Sequence, residues 1–292
     1  MDKIKNFFTR NPFILVLLII FLIGTVGYGV YLIIYNVGNA NQQEKYERLR
    51  DEAFVRVDSI STEAEIAVEE DSPYMSVQEF LEIGNNNSLY REYLVETVPD
   101  FEVLKRSNGD VIAYVVIPDS KVSYPILQSE DNEFYLNRNM DCSRGYPGCL
   151  FVENYNQPSF DDVVTIVYGH NMRNNTMFGS LDRYADSTYR EEHPYIILYL
   201  PDEVRVYEVV VASKYSDEHL LVDCFEKEAD GTYTFYGLNG DEGVNFMSTI
   251  ADYNARGAFV DSDKVEETDK FLVLSTCNGS NQRYIVGARR IL

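Results

Sequence analysis

The residues able to do chemistry in this 292-residue chain stand at the ends of apolar runs. LVLSTC ends at Cys277, and six positions later Arg283 opens RYIVGARRI. TIVYGH ends at His170, ahead of the polar stretch NMRNNTMFGSL. A cysteine attacks as the thiolate, whose fraction rises beside positive charge. A protonated His170 and Arg283 would supply that charge. His170 could then give a proton to a leaving amine and take one from an incoming amine. Arg283 keeps its proton at ordinary pH, so it is a poor acid or base but a good donor to an oxyanion or a substrate carbonyl. The chemistry that uses all three is acyl transfer through a thioester. Each residue alone has a plainer reading, since a strand cysteine is more often a small buried hydrophobe. The combination carries the signal.

A thiol, an imidazole and a guanidinium, each at a strand end, can converge on one rim of a barrel. VIAYVVIP (111–118), SYPILQ (123–128), CLFVE (149–153), VVTIVYGH (163–170), YIILYLP (195–201), VRVYEVVVASKY (204–215), FLVLSTC (271–277) and RYIVGARRI (283–291) are rich in Val, Ile and Tyr and bounded by Gly, Pro, Asn and Asp. With few helices between them, these runs predict a mainly β fold, a closed eight-stranded barrel rather than a doubly wound sheet. If the last two are antiparallel neighbours, the loop NGSNQ returns Arg283 to Cys277. Arg289 and Arg290 are rivals, but residue 289 would sit about 20 Å farther along the strand. One long helix is expected before the cysteine strand, over 241–257, with Val244, Met247, Ile250, Ala251 and Asn254 on one face. Ahead of the barrel, Ser76 and Glu79 read as a capping box. Val77, Phe80 and Leu81, then Leu89, Tyr93 and Leu94, suit one or two short helices broken at GNNNS (84–88).

The N-terminal part has a different composition. Phe13 to Tyr35 is 23 residues without a charge, which as a helix spans roughly 35 Å, enough for a bilayer core. Lys3, Lys5 and Arg10 precede it against Asp2, so the positive-inside rule puts residues 1–12 in the cytoplasm and the remainder outside. Tyr28, Tyr31 and Tyr35 fall where an outer aromatic belt would lie. A cleaved signal peptide would have a shorter apolar run and an A-x-A-like site, and VGNANQ is a poor one. The expected organisation is a cytoplasmic segment (1–12), a transmembrane anchor (13–35), a polar stalk (36–75) and a catalytic domain (76–292).

Composition removes other classes. The 25 Lys and Arg against 47 Asp and Glu give a net charge of −22, with no basic cluster to hold nucleic-acid phosphates. Three histidines, and no C-x-x-C or H-x-x-x-H spacing, point to no metal and no cofactor. Cys142 and Cys149 bracket SRGYPG, where a disulfide is chemically allowed outside the membrane and two free thiols are the alternative. Cys224 reads as a core thiol. His193 and His219 read as surface residues, and VEETD (265–269) as a solvated loop.

TIVYGHNM, LSTC and the following Arg together resemble a sortase, a cysteine transpeptidase of the outer face of Gram-positive membranes. The stretch DVIAYVVIPDSKVSYPILQSEDNEFYLNRN (110–139) resembles class B, as do the long helix before LSTC and the helical segment ahead of the barrel. The resemblance covers about residues 76–292 and implies a sortase-type barrel held outside the cell by a single-pass type II anchor. It also implies roles. Cys277 is the nucleophile on a Thr–Gly bond, or a similar one such as Thr–Asn, in a sorting motif near the C-terminus of a secreted protein. His170 is the general acid and base, and Arg283 holds the carbonyl and the oxyanion. An amine of peptidoglycan resolves the thioester. Asn132 and Leu136, within DNEFYL, and Ser275, two before the cysteine, match class B positions that face the substrate. The Cys-to-Arg loop is shorter than in many class B enzymes and holds no carboxylate. A pilin-joining enzyme with a Lys acceptor would use the same triad. An L,D-transpeptidase would centre on an S-x-G-C motif that is absent. The intact Cys277, His170 and Arg283 argue against a non-enzymatic binding module.

Overall fold

The computed structural model describes residues 12–57, 73–83, 87–217, 220, 225–227, 233–235, 258–266, 268–277 and 282–292. The chain divides into two compact units, residues 1–45 and 46–292. Helix α1 (Pro12–Ala53) begins in the first. Its apolar part exposes Phe13, Phe21, Leu22, Ile23 and Ile34, and it is long and apolar enough to cross a membrane, with a mean hydropathy of 2.7 over its most apolar stretch.

The second unit starts inside the segment expected to be a stalk. Tyr46, Leu49 and Ala53, at spacings of three and four, are buried. They form a narrow apolar stripe among the charges of EKYERLRDEA, which is why composition alone reads as solvent-facing. Strand β1 (Phe54–Arg56) follows. Helix α2 (Val77–Ile83) starts at the expected capping box: Ser76 N donates to Glu79 Oε2 at 2.7 Å and Glu79 N donates to Ser76 Oγ at 3.3 Å. Helix α3 (Asn87–Arg91) runs into a π turn, and β2 (Thr97–Pro99) pairs antiparallel with β1. Helix α4 (Phe101–Ser107) is capped by Asp100, which accepts from Glu102 N and Val103 N.

The barrel strands are β3 (Val111–Val116), β4 (Ser123–Leu127), β5 (Leu150–Val152), β6 (Val164–Gly169), β7 (Tyr195–Tyr199) after helix α5 (Ser187–Glu192), and β8 (Val204–Ser216). After β9 (Phe225–Lys227), β10 (Tyr233–Phe235) and β11 (Phe259–Val260) come β12 (Phe271–Cys277) and β13 (Gln282–Arg290). The order is β11-β8-β13-β12-β6-β5-β4-β3-β7, and β7 also pairs with β8. That last pairing closes eight strands, the same eight expected from sequence, and leaves β11 as an outrigger on β8. Only β12–β6 and β4–β5 are parallel among these pairs.

Closure separates an interior from an exterior. One buried cluster draws on every barrel strand: Val115, Ile126, Val152, Val167, Leu198, Ala212, Leu274 and Val286 all belong to it, so it is the barrel core. A second cluster lies on the outer face, where Leu49, Phe80, Leu94 and Leu104 of the helical segment cover Val111, Tyr114, Val116 and Ile197. A fully buried side chain of this size contributes about 1.5–3 kcal/mol. A third outer cluster joins Val164, Ile166, Phe271, Val273 and Ile285 beside the cysteine strand.

One sequence expectation is overturned, one is decided between its two alternatives, and others fall outside the described residues. His193 is buried, not on the surface: Nδ1 lies 2.8 Å from Pro118 O and the ring packs 4.2 Å from Tyr189. It is the residue that ends α5, and the turn ahead of Pro194 directs it inward. Cys142 and Cys149 are both free thiols, the first exposed and the second buried. Cys149 Sγ lies 3.3 Å from Arg138 O, and burial pushes its pKa up to about 12. The helix expected over 241–257, Cys224 and His219 lie outside the described residues.

Candidate active site

The β12–β13 hairpin sets Cys277 directly across from Arg283. On the other side of β12, the parallel pairing with β6 sets Thr276 beside Gly169. Cys277 and His170 are each the next residue along, so both emerge at the same end of adjacent strands. Gly169 permits this: a Cβ there would stand 2.3 Å from Leu150 Cδ2 and 2.6 Å from Phe178 Cδ2.

Strand alternation puts Tyr168 and Ser275 on the outer face with the cysteine position. There a cleft of about 230 Å³ is lined by Asn132 and Leu136 on one wall, by Tyr168, His170 and Ser275 on the floor, and by Arg283. Phe151, Asp217 and Leu220 complete the rim. The structure thus brings Asn132, Leu136, His170, Ser275 and Arg283 to one cleft, and the backbone of Cys277 to its end. Arg289 and Arg290 go elsewhere. Arg289 pairs with Glu208 at 3.1 Å and stands across from Phe271, at the far end of the hairpin. Arg290 pairs with Glu203 at 3.4 Å and packs over the Tyr74 ring.

His170 is held from the wall. Its Nε2 lies 2.6 Å from Leu136 O. A carbonyl only accepts, so Nε2 carries hydrogen and Nδ1 is the nitrogen left for proton transfer. The Tyr146 ring lies 4.9 Å from the imidazole, centroid to centroid. Burial pushes the His170 pKa below the usual imidazole range, the Leu136 carbonyl pulls it up, and the Arg283 charge pushes it down further. The expectation of a protonated resting His170 is therefore disfavoured. Neutral imidazole is the favoured form, and Arg283 is the fixed positive charge at the site.

The wall is polar and internally bonded. Asn132 Nδ2 donates to Glu153 Oε1 at 2.5 Å, and Asn132 Oδ1 accepts from Asn154 N at 2.9 Å. Tyr168 OH donates to Glu153 Oε2 at 2.9 Å. Burial and the neighbouring Glu153 hold the Tyr168 hydroxyl well above its ordinary pKa. On the floor, Ser275 Oγ is buried with no hydrogen-bond partner among the described residues. Such a group costs free energy until something bonds it.

Sequence reasoning missed Tyr168, Glu153 and Asp217. Tyr168 was within reach, because it precedes His170 by two and alternation puts it on the site face. Glu153 ends CLFVE and looks like a solvated strand terminus. Asp217 is delivered by the pairing of Tyr215 with Arg283, which no local pattern encodes.

A family model for the sortase domain matches residues 115–291. The chain belongs to the sortase family. Sortase B of Listeria monocytogenes is 29% identical over 177 residues, covering 60% of this chain and 65% of that protein. Sortase B of Staphylococcus aureus is 27% identical over 202 residues, covering 66% and 75%. The Staphylococcus aureus sortase B–substrate complex superposes with a TM-score of 0.55 at 23% identity, over 65% of this chain and 84% of that one. These relatives place this sortase in class B, and the closed barrel is the fold they share. The match spans a little under two thirds of the Listeria relative's length.

Proposed function

We propose that this sortase is a membrane-anchored cysteine transpeptidase that cleaves a C-terminal sorting motif and joins the acyl fragment to an amine of peptidoglycan. The observation that carries this reading is the strand register that sets Cys277 opposite Arg283 and beside the residue after Gly169, at the end of a cleft lined by Asn132, Leu136 and Ser275. Residues 13–35 of helix α1 are the anchor, with residues 1–12 inside and the catalytic unit outside.

The neutral His170 takes the Cys277 thiol proton on Nδ1 as the sulfur attacks the carbonyl carbon after the motif's Thr. Arg283 donates to the oxyanion that forms, the task for which a permanently charged planar donor is suited. As the C–N bond breaks, imidazolium at His170 gives a proton from Nδ1 to the leaving amine, and a thioester remains. His170, now neutral, takes a proton from the incoming amine at Nδ1 while that amine attacks the thioester. Cys277 leaves, recovers its proton from His170 Nδ1, and the new amide departs. The Leu136 carbonyl holds the ring in one orientation through both transfers. Asn132 and Leu136 line the wall along which the motif lies, and Ser275 Oγ bonds it from the floor.

The test uses a protein comprising residues 36–292 and peptides with NPxTN, LPxTG and PPxTG cores, read by intact mass. An acyl adduct on Cys277, absent in Cys277→Ala, is expected and names the motif. No adduct with any peptide, while iodoacetamide still modifies Cys277, overturns the reading and turns attention to muropeptides.

A further inference from the structure

Glu153 is the buried carboxylate among the described residues, and the mechanism above does not use it. It follows β5, is 0% exposed, and is tied to the sheet by its N–H on Ile166 O at 2.9 Å. A carboxylate out of water is costly unless its lone pairs are satisfied. Here both oxygens accept hydrogen bonds, and both donors, Asn132 and Tyr168, line the cleft. The Asn132 amide is thereby fixed at both ends. Its oxygen is committed to Asn154 N, and one of its two N–H groups to Glu153. What it has left to offer is one N–H donor. Tyr168 spends its only proton on Glu153.

We propose that Glu153 is a positioning residue for substrate: it orients Asn132 so that the cleft wall presents a donor, and so selects a carbonyl oxygen of an extended peptide at that place. This rests on the transpeptidase reading and adds a chemical identity to one of its subsites. With Arg283 and Ser275, Asn132 then completes a row of donors. Without Glu153 the amide is free to turn its oxygen to the cleft, where it repels the carbonyl it should hold.

The experiment compares wild type, Glu153→Gln and the double swap Glu153→Gln with Asn132→Asp. Three readouts are used: KM and kcat for a cleaved peptide, the rate of Cys277 alkylation by iodoacetamide, and the melting temperature. Glu153→Gln is expected to raise KM about tenfold, the loss of one oriented bond to substrate, with kcat changed less than about threefold. Alkylation stays at the wild-type rate, because the thiolate environment is untouched. In the double swap, the glutamine amide introduced at position 153 can donate to the carboxylate introduced at position 132, and Asn154 N keeps its acceptor. The melting temperature therefore recovers, but the wall now shows a carboxylate oxygen and KM stays high. Recovery of KM together with stability would mean that Glu153 only holds the wall together, and would overturn the inference. So would an unchanged KM in Glu153→Gln. If neither variant folds, Tyr168→Phe decides. Loss of that one donor must raise KM about threefold with alkylation unchanged, and no change in KM overturns the inference. Failure of the wild-type protein to acylate any sorting peptide would sink the transpeptidase reading itself, which is a separate outcome.

Discussion

The carbonyl oxygen of Leu136 lies 2.6 Å from His170 Nε2, so the residue that walls the cleft also sets the tautomer of this imidazole. This carbonyl has little room to move. Gly148 has φ +70°, and a Cβ placed on it would stand 2.7 Å from Leu136 O. The turn between Leu136 and Gly148 is therefore packed against the atom that orients the imidazole.

Gly148→Ala tests this coupling. The substitution strains a left-handed position and displaces the Leu136 carbonyl. We expect a stability loss of about 1–2 kcal/mol and a fall in peptide acylation of about tenfold or more. Nitrogen-15 NMR of the His170 ring should show Nδ1 and Nε2 sharing the proton. A variant that keeps the wild-type spectrum and rate would show that Leu136 is a bystander.

The depressed His170 pKa makes a statement about stability. Its folded-state value lies below the unfolded one of about 6.5, so the unfolded chain binds more protons between the two. Stability from this group is intact above pH 6.5 and is lost as pH falls through the folded value. Melting temperatures of wild type and His170→Asn are expected to run parallel above pH 7. Below about pH 6.5 the wild type should lose ground to the variant. Parallel curves down to pH 5 would contradict the shift.

Arg283 and Arg289 separate the arginine proposed for the oxyanion from its rival. Removing one oxyanion donor typically costs about 100-fold or more in kcat, and Arg283→Ala should do so while slowing Cys277 alkylation far less, since alkylation loses only the thiolate fraction that the charge supports. Arg283→Lys should recover little of that, because a point charge does not replace the planar fork. Arg289→Ala should leave kcat within about twofold, and it removes an ion pair with Glu208 that is worth about 1 kcal/mol or less. Equal effects from the two arginines would reject the assignment.

Much of the barrel is written locally. VIAYVV, TIVYGH and FLVLSTC are β-type because branched and aromatic side chains fill a pleated surface, and each of the eight runs became a strand. The hairpin that sets Cys277 across from Arg283 was also legible, since five loop residues leave an antiparallel return as the simple solution. The parallel pairing of β12 with β6, which brings His170 alongside, was not, because it joins segments distant in the chain through backbone bonds that carry no residue code. Glu153 was passed over and His193 misread for a related reason. A polar residue at the end of an element looks solvated until tertiary packing supplies Asn132 and Tyr168 for one and Pro118 for the other.

Tyr46 makes the strongest case for chain that composition assigns to a stalk. Its hydroxyl donates to Gly148 O at 2.8 Å, and its ring meets Tyr124 edge-on at 5.2 Å. Gly148 is the residue packed against the Leu136 carbonyl, so this turn of α1 supports the loop that orients His170. Two comparisons follow. A protein starting at residue 57 loses Tyr46, Leu49 and Ala53 and should be less stable than one starting at residue 36 by several kcal/mol, since each large buried side chain removed costs about 2–5 kcal/mol. Tyr46→Phe keeps the ring and removes the bond to Gly148 together with the hydroxyl's 3.4 Å contact to Cys149 Sγ, leaving a buried carbonyl short of a donor. It should cost about 1–2 kcal/mol and lower peptide acylation more than Cys277 alkylation. Equal stability and activity of the proteins beginning at 36 and 57 would show that the helix end is dispensable. A Tyr46→Phe protein with a lower melting temperature but unchanged acylation would confine this contact to stability and break its link to His170.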